Sequence, residues 1–343
     1  MQTHHCESCG QRVFFQNSRC EACGAGLLFD PLRWQMVAAD PDPKGPPGAW
    51  RRRADAAPLR ACDWVAHGVC NWACSTEGDT LCLSCQCTRT FPGQADDQAR
   101  IQWAKAELAK RRLMVNLRQR GVPVWRQDGI EPMRFDLLSP RLSPQPILTG
   151  HAQGLITLNL DEVDPVHRVE QQQRFAEPYR TVLGHLRHES GHFYWDTLVS
   201  PDGGLLSQVR DVFGDERQDY ATALAAHHER VAAAGDSSLA PPDGFISLYA
   251  SAHPWEDWAE TWSHYLMMLD AMEVQQPALW ADVMAHRESF ETLLARWQTL
   301  TLHLNDLNRA LGWPDPYPFV LSAPVRAKLL CVHTVVSDTV VSR

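Results

Sequence analysis

The sequence predicts an α+β, helix-dominated domain preceded by small cysteine-rich metal modules. Two observations carry that expectation. Ten of the 11 cysteines fall before residue 90, and the rest of the chain consists mainly of long stretches with apolar residues at helical spacing, with one β-prone segment among them. At 343 residues and 44% hydrophobic composition the chain can bury one sizeable core and carry an appendage. The net charge of -9 argues against broad affinity for phosphate, and so against nucleic acid as a partner. No apolar stretch is long enough to span a bilayer, and the polar start Met1 to His5 carries no signal sequence. The expected compartment is therefore the reducing cytoplasm, where zinc thiolates are favoured over disulfides.

The front reads as two modules and a linker. In residues 1–35, Cys6, Cys9, Cys20 and Cys23 form two C-x-x-C knuckles, with Gly10 and Gly24 after the second cysteine of each. Each knuckle sets two thiolates on a tight turn, and four sulfurs close a tetrahedral structural zinc site. Residues 36–58 read as a linker, marked by Pro41 to Pro47 and by the basic run Arg51 to Arg53, which would be solvated. Residues 59–92 hold Cys62, Cys70, Cys74, Cys82, Cys85 and Cys87, two more than one tetrahedral site uses. Cys82 and Cys85 make the one clear knuckle there, and spacing alone leaves its partners open.

Residues 93–343 read as one domain. Asp96 to Arg120 is an amphipathic helix whose Lys105, Lys110, Arg111, Arg112 and Arg118 would form a solvated face. Pro146 to Leu160 is a short hairpin around Gly150 and Gly154 that ends in Leu155 to Asn159. Pro178 suits a first helical turn, and Tyr179, Val182, Leu183, Leu186 and Phe193 keep an apolar stripe through the run H-E-S-G-H at His188 to His192. On that helix His188 and His192 lie one turn apart and can share one Zn²⁺, while Glu189 sits where it can reach a water at the metal. Gly191 leaves room for a second element to come close. Leu205 to Gly235 reads as helical, with Asp211, Asp215, Glu216 and Asp219 capping and bracing. Ser251 to Met272 is a second key helix, with Trp258, Trp262, Tyr265 and Leu269 on one face and Glu256 and Glu260 on the other. Ala278 to Leu311 and Ala323 to Val336 read as the last helices.

Two histidines leave a catalytic zinc short of one protein ligand. Trp195 and Leu198 occupy the positions where a metzincin-type extension would place a glycine and a third histidine. A downstream carboxylate is the better candidate, and geometry allows Glu256 or Glu260.

Here the sequence resembles the gluzincins, whose second active-site helix offers a glutamate three residues before a small residue, as Glu256 stands before Ala259. More specifically, His185 to Trp195, Phe213 to Tyr220 and Tyr249 to Tyr265 resemble a bacterial family of zinc-binding metallopeptidases with an N-terminal zinc ribbon, over nearly the whole chain. The resemblance implies a zincin-like, gluzincin-type fold with Glu256 as third ligand and Glu260 as the acceptor that orients a ligand imidazole. With its C-N-W at Cys70 to Trp72, it also implies that Cys62 and Cys70 complete the second zinc site with Cys82 and Cys85, leaving Cys74 and Cys87 spare. A strand just before the active helix could pair its edge with an extended peptide.

The expected function is hydrolysis of peptide bonds in a peptide or protein substrate. One catalytic zinc is held by His188, His192 and Glu256, and two structural zincs by the cysteines, with Glu189 as the base. Tyr249, His253, His264 and Tyr265 are candidates to stabilise the oxyanion, and the ribbons could recognise a protein partner. The competing class is a non-catalytic zinc-binding or nucleic-acid interaction module. Glu189 separates the two, because a purely structural site has no use for a carboxylate beside an open coordination position.

Overall fold

The computed structural model describes residues 4–93, 96–165, 181–234, 240–275 and 289–341. The chain divides into two compact units, one of residues 1–115, 125–127 and 131–164, the other of 116–124, 128–130 and 165–343. Among the described residues no helix is long and apolar enough to cross a membrane.

The first unit opens with β1 (His4–His5) and β2 (Arg12–Val13), paired antiparallel around the first cysteine knuckle. Gly10 and Gly24 take φ of 74° and 72°, which lets the chain turn tightly after each knuckle without a side-chain clash. An antiparallel sheet follows in the order β3 (Gly26–Asp30), β4 (Gln35–Pro41), β5 (Ala49–Arg52), β6 (Pro58–Arg60). It corrects the reading of 36–58 as a linker. Val37, Ala38 and Ala39 are buried in β4, and Leu28, Val37, Ala61 and Ala73 form a core with Trp50, Leu59 and Val65 packed against it. The proline-bearing stretch 42–48 is only the loop between two strands.

A mixed sheet in the same unit runs β7 (Thr88–Thr90), β8 (Arg134–Leu138), β10 (Leu155–Asn159), β9 (Gly150–Ala152). The expected hairpin forms, with β9 and β10 antiparallel. However, β10 also pairs parallel with β8 along Leu155–Asn159, and β9 covers its other edge at Leu155–Thr157, so the edge expected to receive a peptide strand is largely taken up within the sheet. The sheet ends instead at β7 and β9.

Between these strands come α1 (Leu83–Gln86) and α2 (Asp97–Gln119). The expected solvated face of α2 is only partly solvated: Lys105 is exposed, but Lys110 and Arg111 are 0% and 3% exposed. Burial demands partners for such charges. Lys110 pairs with Glu107 at 2.9 Å and donates to Thr88, and Arg111 donates to the Val69 carbonyl at 3.1 Å.

In the second unit α3 (Val182–Tyr194) carries the histidine motif, with the Thr181 hydroxyl capping it by accepting from the Gly184 N–H at 2.9 Å. Pro178 and Tyr179 lie outside the described residues. The helical stretch expected over 205–235 forms as two helices, α4 (Gly203–Phe213) and α5 (Tyr220–Ala234). They part at Gly214, whose φ of 98° ends α4. Then come a 3₁₀ turn (Tyr249–Ala252), α6 (Pro254–Gln275), α7 (Phe290–Ala310) and α8 (Ala323–Val341). The 278–288 part of the helix expected over 278–311 falls outside the described residues.

Helices α3 and α6 form the heart of this unit. The indoles of Trp258 and Trp262 donate to the Gly191 carbonyl at 2.9 Å and the Ser190 hydroxyl at 3.0 Å. A Cβ on Gly191 would sit 2.9 Å from the Ala259 Cα, so the absence of a side chain permits the crossing. Buried Asp270 of α6 holds both Arg120 and Arg187, tying the residue before His188 to the same helix.

Candidate metal centres

One turn of helix separates His188 from His192, and their Nε2 atoms lie 3.2 Å apart. Across the crossing, α6 brings Glu256 Oε2 to 2.9 Å from the first of these atoms and 3.5 Å from the second. Donors about 2.1 Å from a tetrahedral zinc are about 3.4 Å from one another. The three observed separations bracket that value, so the donor set fits the ion in both size and chemistry. Glu260, one turn further on, takes the other side of the same imidazole. Its Oε1 accepts from His188 Nδ1 at 2.7 Å and its Oε2 from the Ser247 hydroxyl at 2.6 Å.

The electrostatics favour positive charge at the centre of this group. Burial opposes a charged imidazole, yet hydrogen bonds and charge from Glu256 and Glu260 hold His188 well above its ordinary pKa. In return, and again against burial, the histidines hold Glu256 well below the usual carboxylate range, and His188 brings Glu260 down to about 2. Glu189 follows His188 in α3 and is 8% exposed.

The cysteines fall into two sets of four, Cys6, Cys9, Cys20, Cys23 and Cys62, Cys70, Cys82, Cys85, each with its sulfurs within 4.8 Å of one another. The Sγ pairs Cys6–Cys23, Cys9–Cys20 and Cys70–Cys82 are all 3.7 Å apart. That is far beyond a disulfide bond of about 2.05 Å. It matches the separation of about 3.8 Å for thiolates around tetrahedral zinc. Cys74 and Cys87 are not part of the second set. Burial pushes the Cys74 thiol up to about 12, and the Cys87 thiol donates to the Leu83 carbonyl.

Residues 99–335 match the family described as "putative zinc-binding metallo-peptidase", and residues 3–96 match a zinc-ribbon domain. The chain belongs to that metallo-peptidase family. Uncharacterized proteins of Mycobacterium bovis and Mycobacterium tuberculosis are 36% identical to it over 351 residues, covering 98% of this chain and 96% of each relative. No solved structure matches the chain.

In this member of the metallo-peptidase family, the four side chains considered for the oxyanion part company. His264 is buried beside Tyr317 and Phe319, and burial lowers its pKa to about 4. The Tyr265 hydroxyl lies 2.9 Å from His333 Nδ1, and His253 uses its two nitrogens on the Gln218 carbonyl and the Trp255 N–H. Tyr249 has its ring 5.9 Å from that of His188. Tyr220, which sequence reasoning missed, donates its hydroxyl to Glu256 Oε1 at 2.6 Å. Trp255 lays its ring 3.8 Å from that of His192. Tyr220 lay within a stretch that carried the family resemblance, but nothing in its local pattern pointed to a carboxylate 36 positions away.

The arginine run of the zinc-ribbon region is neutralised from within. Arg51 pairs with Asp42, Arg52 with Glu7 and Asp55, and Arg53 with Asp40. These pairs reduce what the run could offer a phosphate backbone.

Proposed function

We propose that the chain is a gluzincin-type zinc peptidase, in which His188, His192 and Glu256 hold the catalytic metal and Glu189 is the general base. The observation that carries this reading is the convergence of three donors from two helices at 2.9, 3.2 and 3.5 Å, with Glu189 next to the first of them. Zinc bound there would supply Lewis acidity, making a water acidic near neutral pH and polarising the scissile carbonyl.

The chain's own groups do the rest. Glu189 takes a proton from the attacking water and returns it to the leaving amine. His188 donates from Nδ1 to Glu260, which fixes its tautomer and turns the Nε2 lone pair toward the centre. The Tyr220 hydroxyl holds Glu256 by Oε1, so that Oε2 faces the histidines. The two cysteine sets hold structural zinc in the front of the chain, not in separate modules 1–35 and 59–92, since Leu28 and Ala73 share one core, and the helices that carry the histidine centre act on a peptide or protein.

Metal analysis combined with cleavage of a peptide library tests the proposal. The purified chain is expected to carry about three zinc ions. Glu189→Gln should keep all three and the fold while losing cleavage by about 10²- to 10⁴-fold, since an amide cannot accept the proton. A variant that cleaves as well as the native chain would refute the assignment.

A further inference from the structure

Three elements of the second unit meet at one buried ammonium group. Lys328 of α8 is 7% exposed, and its Nζ lies 2.6 Å from Asp257 Oδ2 on α6, a carboxylate that is fully buried. The same Nζ donates to the Gly244 carbonyl at 2.6 Å and stands 4.2 Å from the centre of the Phe245 ring. Asp257 is the residue after Glu256. Gly244 and Phe245 open the segment that carries Ser247 and leads into the 3₁₀ turn, and Ser247 is the hydroxyl partner of Glu260.

We propose that Lys328 is a positioning residue of the metal centre, clamping the Gly244–Ser247 segment onto the first turn of α6 so that Glu256 and Glu260 are held on opposite nitrogens of His188. This rests on the reading of His188, His192 and Glu256 as zinc ligands. The clamp reaches one carboxylate through its neighbour Asp257 and the other through Ser247. A cation suits this task because it can bind a carboxylate, a carbonyl and an aromatic face together, which an apolar side chain cannot. A buried ion pair is a poor device for stability alone, since apolar replacement of both partners often leaves stability unchanged or raised. The geometry here gives the pair a different use.

The test compares the native chain with the double variant Lys328→Met/Asp257→Leu, which removes both buried charges and so avoids stranding one of them. Zinc affinity is measured by chelator competition on the full chain, for the ion whose binding disappears in His188→Ala. The double variant should bind that ion about 10- to 100-fold more weakly, the usual loss when support for a metal ligand is removed. Its melting temperature and cysteine-bound zinc should stay near native. As a control on mere loosening of α8, Tyr265→Phe breaks the hydroxyl contact with His333 and should leave zinc affinity unchanged. Native affinity in a folded double variant would overturn the clamp alone. A native chain that binds only the two cysteine-held ions would overturn the clamp together with the site reading beneath it. If the double variant fails to fold, Asp257→Asn removes the charge of the pair with little change of shape, and native zinc affinity in that folded variant overturns the proposal.

Discussion

Replacing Gly191 by alanine is a sharp test of how closely the two site helices must approach. The new Cβ would lie 2.9 Å from the Ala259 Cα, 3.2 Å from the Trp262 Cβ and 3.3 Å from the Ala259 Cβ. Ordinary carbon contacts are about 3.5–4.0 Å, so α6 must retreat by at least about 0.6 Å where it faces backbone. Ala259 stands between Glu256 and Glu260, and metal–ligand distances tolerate only about 0.2 Å of error. The retreat is about three times that tolerance. On stability two effects oppose each other: alanine gains about 1 kcal/mol of helix propensity over glycine, while overpacking costs about 1–3 kcal/mol. Overpacking should win by about 1 kcal/mol. The assay pairs urea denaturation with zinc titration, and the expected result is a modest loss of stability with a disproportionate loss of zinc affinity, about tenfold or more. A variant that gains about 1 kcal/mol and keeps native affinity would refute the close-approach argument.

Two further predictions concern the carboxylates. Glu256→Ala should lose the histidine-bound zinc outright while both cysteine sites stay filled, whereas Glu260→Ala should weaken that zinc by about 10- to 100-fold and still bind at saturation; the opposite pattern would exchange their roles. Because Glu256 and Glu260 hold His188 above its ordinary pKa, zinc must displace a proton from it at neutral pH. Binding should therefore tighten as pH rises toward that raised pKa and weaken as pH falls. Calorimetry in two buffers of different ionisation enthalpy should detect release of about one proton near pH 7, and an absence of release would contradict the assigned electrostatics.

The sequence displayed those parts of the site that follow from spacing along one element. His188, Glu189 and His192 on one helix, and the C-x-x-C knuckles, are local patterns whose geometry is nearly fixed by the backbone. Glu256 and Glu260 were visible as a pair, but they lie on one face, and only family resemblance ranked them. Tyr220 and Ser247 were not legible, because each meets its glutamate through tertiary packing that no local period encodes. The burial of Lys110 and Arg111 is not legible in the amphipathic pattern, because α2 is buried on more than one side and a charge on such a helix does not by itself mark exposure. Proline content concealed β4 and β5, since Pro41 to Pro47 marks a loop between strands as readily as a linker. The helical character of 205–235 was legible, but the break at Gly214 was not, because its backbone angle cannot be read from its neighbours.

The two cysteine sets differ in their access to water, and this sets how fast each could trade its metal. Cys62, Cys70, Cys82 and Cys85 are each 5% exposed or less, whereas Cys9 is exposed and Cys23 only partly buried. A chelator or a competing thiol can approach an ion at the first set directly. An ion at the second can be reached only when the surrounding fold opens, so its residence time follows the free energy of local unfolding more than the strength of its bonds. The second set is therefore best filled while the chain is still folding, and it would keep that ion through later zinc scarcity. The first set would follow the zinc concentration of its surroundings.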